Sequence, residues 1–241
     1  MRNSFNTRNL IDQRCFVLEV LSDNRVKFVT HPLAKAILTS LRDRNTKQIE
    51  FRRGLVRLGI FIAYRIVEDF PTEEITVETP LGVRAKGIRI PDLDRVVIVQ
   101  VLRASMPLVE GMIKIIQGAR QGVVSARRVE ELGMSEDKWF NIEVKYVKFP
   151  KINSDDNLII ADPMFATGST AIAVMNELVK RGAKPKRIIL ANVISTELAI
   201  KRFLEAYPNS QIYTIEVDPE LNEKGYIVPG LGDAGDRAFG E

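Results

Sequence analysis

Cysteine and histidine are almost missing from this 241-residue chain, where Cys15 and His31 stand alone. A single cysteine closes no internal disulfide, and the pair offers no Cys/His cluster for a metal, so a reducing, cytoplasmic setting is expected. Long apolar runs are missing too, none approaching the ~20 residues that span a bilayer. The opening MRNSFNTRNLIDQRC has no apolar stretch before a small-residue cleavage site, so neither a secretory signal nor membrane association is expected. No block of about five or six like charges marks a nucleic-acid arm; the net charge of +4 is spread along the chain. Two familiar phosphate-binding patterns are also absent, the Walker loop and the dinucleotide GxGxxG. What is present is 45% hydrophobic and 27% charged residues, enough apolar material for one sizeable globular core.

Residues 1–25 lack clear periodicity apart from Arg14–Leu21, which suits a short edge strand, and they read as an extension before a main domain at 26–241. His31-Pro32 opens a helical pattern with Leu33, Ile37 and Leu41 at four-residue spacing, and His31 reads as its cap. A second helix carries Phe51, Leu55, Leu58, Ile62 and Ile66 on one face. Alternating residues on both sides of Pro80-Leu81-Gly82 predict a hairpin. Val96–Leu102 is continuously apolar, as in a strand buried on both faces of a parallel sheet. A helix over about Pro107–Ile116 and a strand around Gly122–Ala126 follow, and Ile142–Val147 alternates like an exposed hairpin arm. Leu158–Ala161 (strand), Thr170–Arg181 (helix), Arg187–Ile194 (strand) and Thr196–Tyr207 (helix) then imply a parallel α/β sheet with right-handed crossovers.

Chemistry concentrates at Asp162-Pro-Met-Phe-Ala-Thr-Gly-Ser-Thr170, between strand and helix. In open α/β sheets ligands lie beyond the carboxyl ends of the strands. Gly168 lets backbone approach a ligand, Thr167, Ser169 and Thr170 supply hydroxyls, and the helix N-terminus offers free N–H groups, together the makings of a phosphate cradle.

LIIADPMFATGST resembles the phosphoribosyl pyrophosphate (PRPP) motif of phosphoribosyltransferases, in the DPM form of the uracil phosphoribosyltransferase family. GYIVPGLGDAGDRAFG at Gly225–Gly240 resembles that family's uracil-binding segment. Thr30–Leu33, Thr79–Gly82, Leu102–Gly111 and Arg128–Glu130 match further pieces, so the similarity runs from about residue 28 onward and is greatest to archaeal members. The resemblance implies a type I phosphoribosyltransferase fold, a parallel sheet flanked by helices, with a small hood formed partly by 217–241 and a hairpin arm. It implies transfer of phosphoribose from PRPP to uracil, giving UMP and pyrophosphate in pyrimidine salvage.

By the match, Asp162 takes the ribose hydroxyls and Ala166–Thr170 the 5′-phosphate, with Pro163, Met164 and Phe165 in the same PRPP loop. Arg103 and Arg128 face pyrophosphate, where the guanidinium fork suits phosphate oxygens. Tyr226, Ile227, Gly232 and Ala234 surround uracil, and Asp233 lies between base and PRPP. Asp233 and Arg103 are the residues expected to act in catalysis. Magnesium is expected to arrive chelated by PRPP, with no direct protein ligand set. Arg53, Gly54, Leu55, Val56 and Arg57 match a region that binds the activator GTP in relatives, and a homodimer or homotetramer is expected. Two rival readings are a phosphoribosyltransferase for another base, against which 225–240 argues, and a nucleotide-sensing regulator of the same fold that binds nucleic acid.

Overall fold

The computed structural model describes residues 22–240. The expected strand at Arg14–Leu21 lies outside them. Seven strands form the main sheet in the order β1-β11-β9-β7-β4-β5-β6: β1 (Val26–Phe28), β4 (Val96–Leu102), β5 (Arg120–Arg128), β6 (Ile142–Lys148), β7 (Asn157–Ala161), β9 (Arg187–Ala191) and β11 (Ser210–Thr214). All neighbours are parallel except β6, which pairs antiparallel with β5 across a bulge at Ser125/Ala126. The segment expected as an exposed arm is therefore the edge strand of the sheet, and its alternation reflects one covered face.

Alternate residues of the central strands serve two cores. Val96, Ile98, Ile159 and Ile189 face α1 (Pro32–Arg42), α2 (Gln48–Glu68) and α3 (Met106–Ile113). Val97, Val99, Leu158, Ile160 and Leu190 face α4 (Ser169–Lys180) and α5 (Glu197–Ala206). This is why Val96–Leu102 reads as an unbroken apolar run: each side of the pleat is dry, and each buried side chain contributes roughly 1.5–3 kcal/mol.

His31 caps α1 as expected, its Nδ1 accepting the Leu33 N–H at 3.1 Å, and Pro32 supplies the preset φ of the first turn. In α2 the predicted face, Phe51, Leu55, Leu58, Ile62 and Ile66, is completely buried. Helices α2 and α3 cross with their backbones in contact at Gly59 and Gly111: a Cβ on Gly59 would run into the Leu108 carbonyl, and one on Gly111 into that of Val56. The predicted hairpin forms as β2 (Glu73–Glu78) and β3 (Arg84–Arg89), paired only with each other.

Three main-sheet strands break at their carboxyl ends and resume in a small parallel sheet. Its strands are β8 (Met164–Phe165), β10 (Ile194–Thr196) and β12 (Glu216–Asp218), in the order β12-β10-β8. The single strand expected at Arg187–Ile194 is thus two, interrupted at Asn192-Val193. Beyond it come a short ladder of β13 (Glu220–Leu221) with β14 (Ile227–Val228), then α6 (Ala234–Phe239). The Gly-rich segment 225–240 is therefore half turn and half helix.

Candidate active site

The break after β7 positions the acidic residue of the phosphate-cradle motif. Asp162 donates its backbone N–H to the Ala191 carbonyl at 3.1 Å, and its own carbonyl accepts from Asn192 Nδ2 at 2.7 Å. The Pro163 carbonyl accepts the N–H groups of Val193 and Ile194, each at 3.1 Å, so Pro163 is scaffold rather than wall. Turned out of the sheet, the Asp162 carboxylate has one inner partner, the Met164 N–H, which Oδ1 accepts at 3.2 Å. Burial pushes this carboxyl up from 3.8 to about 6, against the Met164 bond and Arg128, which both lower it; Asp233 adds to the rise.

The loop then turns through Gly168 at φ +84°, a left-handed conformation that a side chain adopts only with strain. Thr167 Oγ1 and Ser169 Oγ lie 2.9 Å apart, and Ser169 Oγ also accepts the Phe140 N–H at 3.1 Å. Ser169 is therefore buried and spoken for, whereas Thr170 stays accessible at the start of α4. Met164, Phe165, Ala166, Thr167, Gly168 and Thr170 line a small recess shared with Asp162 and Arg128. At the start of α4 the Ser169 N–H donates to Thr167 Oγ1 at 3.3 Å, and a helix N-terminus beside the loop favours an anion there.

That recess adjoins a cleft of about 430 Å³ at the carboxyl ends of β4, β5 and β7. Asp162, Met164, Ala166 and Thr170 form one wall; Leu102, Ala126 and Arg128 come from β4 and β5, and Ala104 from just after β4; Tyr226, Ile227, Gly232, Asp233 and Ala234 close the other side. Arg128 lies with its guanidinium 4.1 Å from the Phe140 ring centroid and donates to the carbonyls of Lys224 and Gly225 at 3.3 and 3.4 Å. Burial lowers its pKa, with Tyr226, Asp162 and Asp233 opposing. Its neighbour Arg127 bonds Glu143 of β6 at 2.7 Å and only reaches the cleft wall. Strand alternation separates the two arginines, a distinction open to sequence reading once β5 is known to run through Arg128.

Asp233 is the N-cap of α6: its Oδ1 accepts the Gly235 and Asp236 N–H groups at 2.8 and 3.0 Å. Gly230 and Gly232 adopt φ +58° and +81°, and a Cβ on Gly230 would collide with the Ile227 carbonyl. Arg103, another predicted site residue, also stands apart. It follows β4, but its Nη2 lies 3.6 Å from Asp236 Oδ1 and its guanidinium 5.8 Å from the Phe239 ring centroid, and it is not among the residues lining the cleft. Sequence reading missed Glu131 and Gly225, both in the cleft wall. Glu131 directly follows the matched Arg128–Glu130 piece, and Gly225 opens the matched terminal segment.

Arg53, Gly54 and Arg57 lie elsewhere, with Lys47 and Thr46, in a groove of about 480 Å³ between α1 and α2. Leu55 points into the core and is fully buried; Val56 sits over the α2–α3 crossing.

The comparisons with known proteins agree with this architecture. The family model described as uracil phosphoribosyltransferase matches residues 28–241. A uracil phosphoribosyltransferase from Pyrobaculum arsenaticum is 52% identical over 214 residues, 89% of this chain and 98% of the relative. One from Thermococcus gammatolerans is 49% identical over 218 residues, 90% and 94% of the two chains. Among solved structures, the AQ2163 protein of Aquifex aeolicus superposes with a TM-score of 0.78 at 29% identity, covering 89% of this chain and 97% of that one. On the family match over residues 28–241 and relatives about half identical over most of their length, the chain belongs to the uracil phosphoribosyltransferase family.

Proposed function

We propose that the cleft joins N1 of uracil to C1′ of PRPP, with pyrophosphate leaving. The observation that carries this is the convergence on one cleft of Asp162, the phosphate loop, Arg128 and the segment 225–235. A 5′-phosphate fits the recess of Ala166–Thr170, and the Asp162 carboxylate accepts the two ribose hydroxyls. A planar base lies against Tyr226 and Ile227, its edge read by the backbone around Gly232–Ala234. Arg128 meets the leaving group. Arg103 joins it by turning from Asp236, a carboxylate that a polyanion outcompetes electrostatically.

The transition state is oxocarbenium-like, so catalysis rests on holding two substrates in line and stabilising departing charge. Asp233 has Oδ1 committed to capping α6; Oδ2 takes no hydrogen bond from the described residues and is the atom to receive the N1 proton or favour the sugar cation. Among the described residues no three His, Cys, Asp or Glu side chains gather as a metal site. Magnesium is taken to arrive chelated by the PRPP phosphates, whose charge it neutralises.

UMP formation from labelled uracil, PRPP and magnesium tests the assignment, with cytosine, orotate and hypoxanthine in parallel. Asp233→Asn is the informative variant because asparagine also caps a helix. Turnover of uracil alone, reduced about a hundredfold or more in the variant, supports it; turnover of another base, or none, overturns it.

The groove between α1 and α2 suits a second anionic ligand, and GTP is proposed there as activator, held by Lys47, Arg53 and Arg57. Association into a homodimer or homotetramer is also proposed. The β2–β3 hairpin leaves Val77, Leu81, Val83 and Ile88 exposed, and an isolated two-stranded hairpin is marginal on its own. Light scattering and GTP titration of the turnover rate check these two points.

A further inference from the structure

Arg237 is not among the residues lining the cleft, yet its guanidinium is engaged with four backbone carbonyls on two segments. Nη1 donates to Leu41 and, at 2.6 Å, to Leu231; Nη2 donates to Asp43 at 2.7 Å and Thr46 at 3.5 Å. The Phe51 ring lies beneath it, 4.3 Å from centroid to guanidinium carbon. Its stem backs the turn directly: a Cβ on Gly232 would sit 3.3 Å from Arg237 Cδ. A second arginine does the same one residue earlier. Arg42, at the end of α1, pairs with both oxygens of Asp218 at 2.7 Å and donates to the Gly230 carbonyl at 2.7 Å, while Asp218 accepts the Gly230 N–H at 2.8 Å.

The backbone that precedes Gly232–Ala234 therefore hangs from the corner between α1 and α2. We propose that Arg237 is a positioning residue for the base: by tying Leu231 to the 41–46 corner it sets where the backbone of 232–234 meets the edge of uracil. This rests on the uracil reading of that segment. A planar base read by backbone groups leaves no side-chain freedom to absorb error, so a displacement of about 0.5 Å is felt as lost binding. The guanidinium suits the task, since its donors lie in one rigid fan that reaches both segments at once. A lysine offers a single nitrogen. The consequence is selective: the hydrogen bonds of Arg237 reach neither the β7–α4 loop nor Arg103 and Arg128, so the base feels the loss far more than PRPP does.

The test measures KM for uracil and for PRPP separately in the wild type, Arg237→Gln, Arg237→Lys and Asp43→Ala. Asp43 is exposed, lines no cleft, and shapes the corner by accepting the Asn45 N–H at 2.8 Å. The expected result is a rise in KM for uracil of about tenfold in Arg237→Gln and about threefold in the other two, with KM for PRPP within about twofold of wild type. Equal rises in both KM values, or an unchanged KM for uracil, overturn the proposal. If the Arg237 variants fail to fold, Asp43→Ala decides alone on the same criterion. Wild-type protein that does not turn over uracil would remove the functional reading itself, and this inference with it.

Discussion

Replacing Asp162 by asparagine should strengthen the fold at pH 7 while weakening its hold on PRPP. Burial raises this carboxyl from 3.8 to about 6, so at neutral pH the folded protein keeps a charge that the unfolded chain solvates better. At about 1.4 kcal/mol per pH unit, the rise corresponds to an upper bound of about 3 kcal/mol of destabilisation. The sign follows from proton counting. Between pH 3.8 and about 6 the folded state binds more protons than the unfolded one, so stability falls as pH rises through that window. The penalty is complete above it and gone below it. Asparagine carries no such charge and can still accept the Met164 N–H.

Unfolding free energies of Asp162→Asn from denaturant titration should therefore exceed wild type by up to about 3 kcal/mol at pH 7, about half of that at pH 5, and near zero below pH 4. Loss of the charged acceptor costs about 1.5–3 kcal/mol in PRPP binding, a rise of roughly ten- to a hundredfold in KM. A variant no more stable than wild type at pH 7, or a gain that ignores pH, would refute the reasoning.

Three further outcomes are expected. In the wild type, KM for PRPP should climb as pH drops below about 6, because protonation of Asp162 removes its acceptor capacity; a flat profile from pH 7 to 5 would contradict this. Gly168→Ala should cost roughly 1–2 kcal/mol from the left-handed backbone and raise KM for PRPP with little change for uracil, checked by melting and kinetics. Gly111→Ala should cost upwards of about 3 kcal/mol, because the methyl meets the α2 backbone itself, and soluble yield or melting temperature reports it.

Elements with one strong periodic signal were legible in the sequence. The face of α2, the run at β4, the hairpin and the DPMFATGST loop each announce themselves through local spacing or turn chemistry. The strands β1 and β11 went unread, being three and five residues long with few apolar positions, and their pairing is set by the rest of the sheet. Long-range partnership also hid the antiparallel edge role of β6. Within the site, residue type and motif found Asp162, Arg128 and Asp233. They could not show that Asp233 caps a helix, that Ser169 turns inward to the Phe140 amide, or that Arg103 lies beside Asp236. Those placements depend on the packing of α6 and of residues 134–140, which no local pattern encodes.

The cleft draws its walls from three stretches far apart in sequence, around residues 101–128, 162–170 and 225–235. During synthesis at ~5–20 residues per second, residues 162–170 precede residues 225–235 by about 65 residues, or roughly 3–13 s. Residues 162–170 stay unfinished until Ala191 and Asn192 are made, because Asp162 hangs from both; from then until residues 225–235 follow, the proposed sugar-phosphate cradle has nothing beside it to accept the sugar. An activated pentose bound there would have only water to react with, and the Arg237 clamp is still unmade. The late arrival of residues 225–235 thus closes the cleft and licenses the proposed chemistry in a single step.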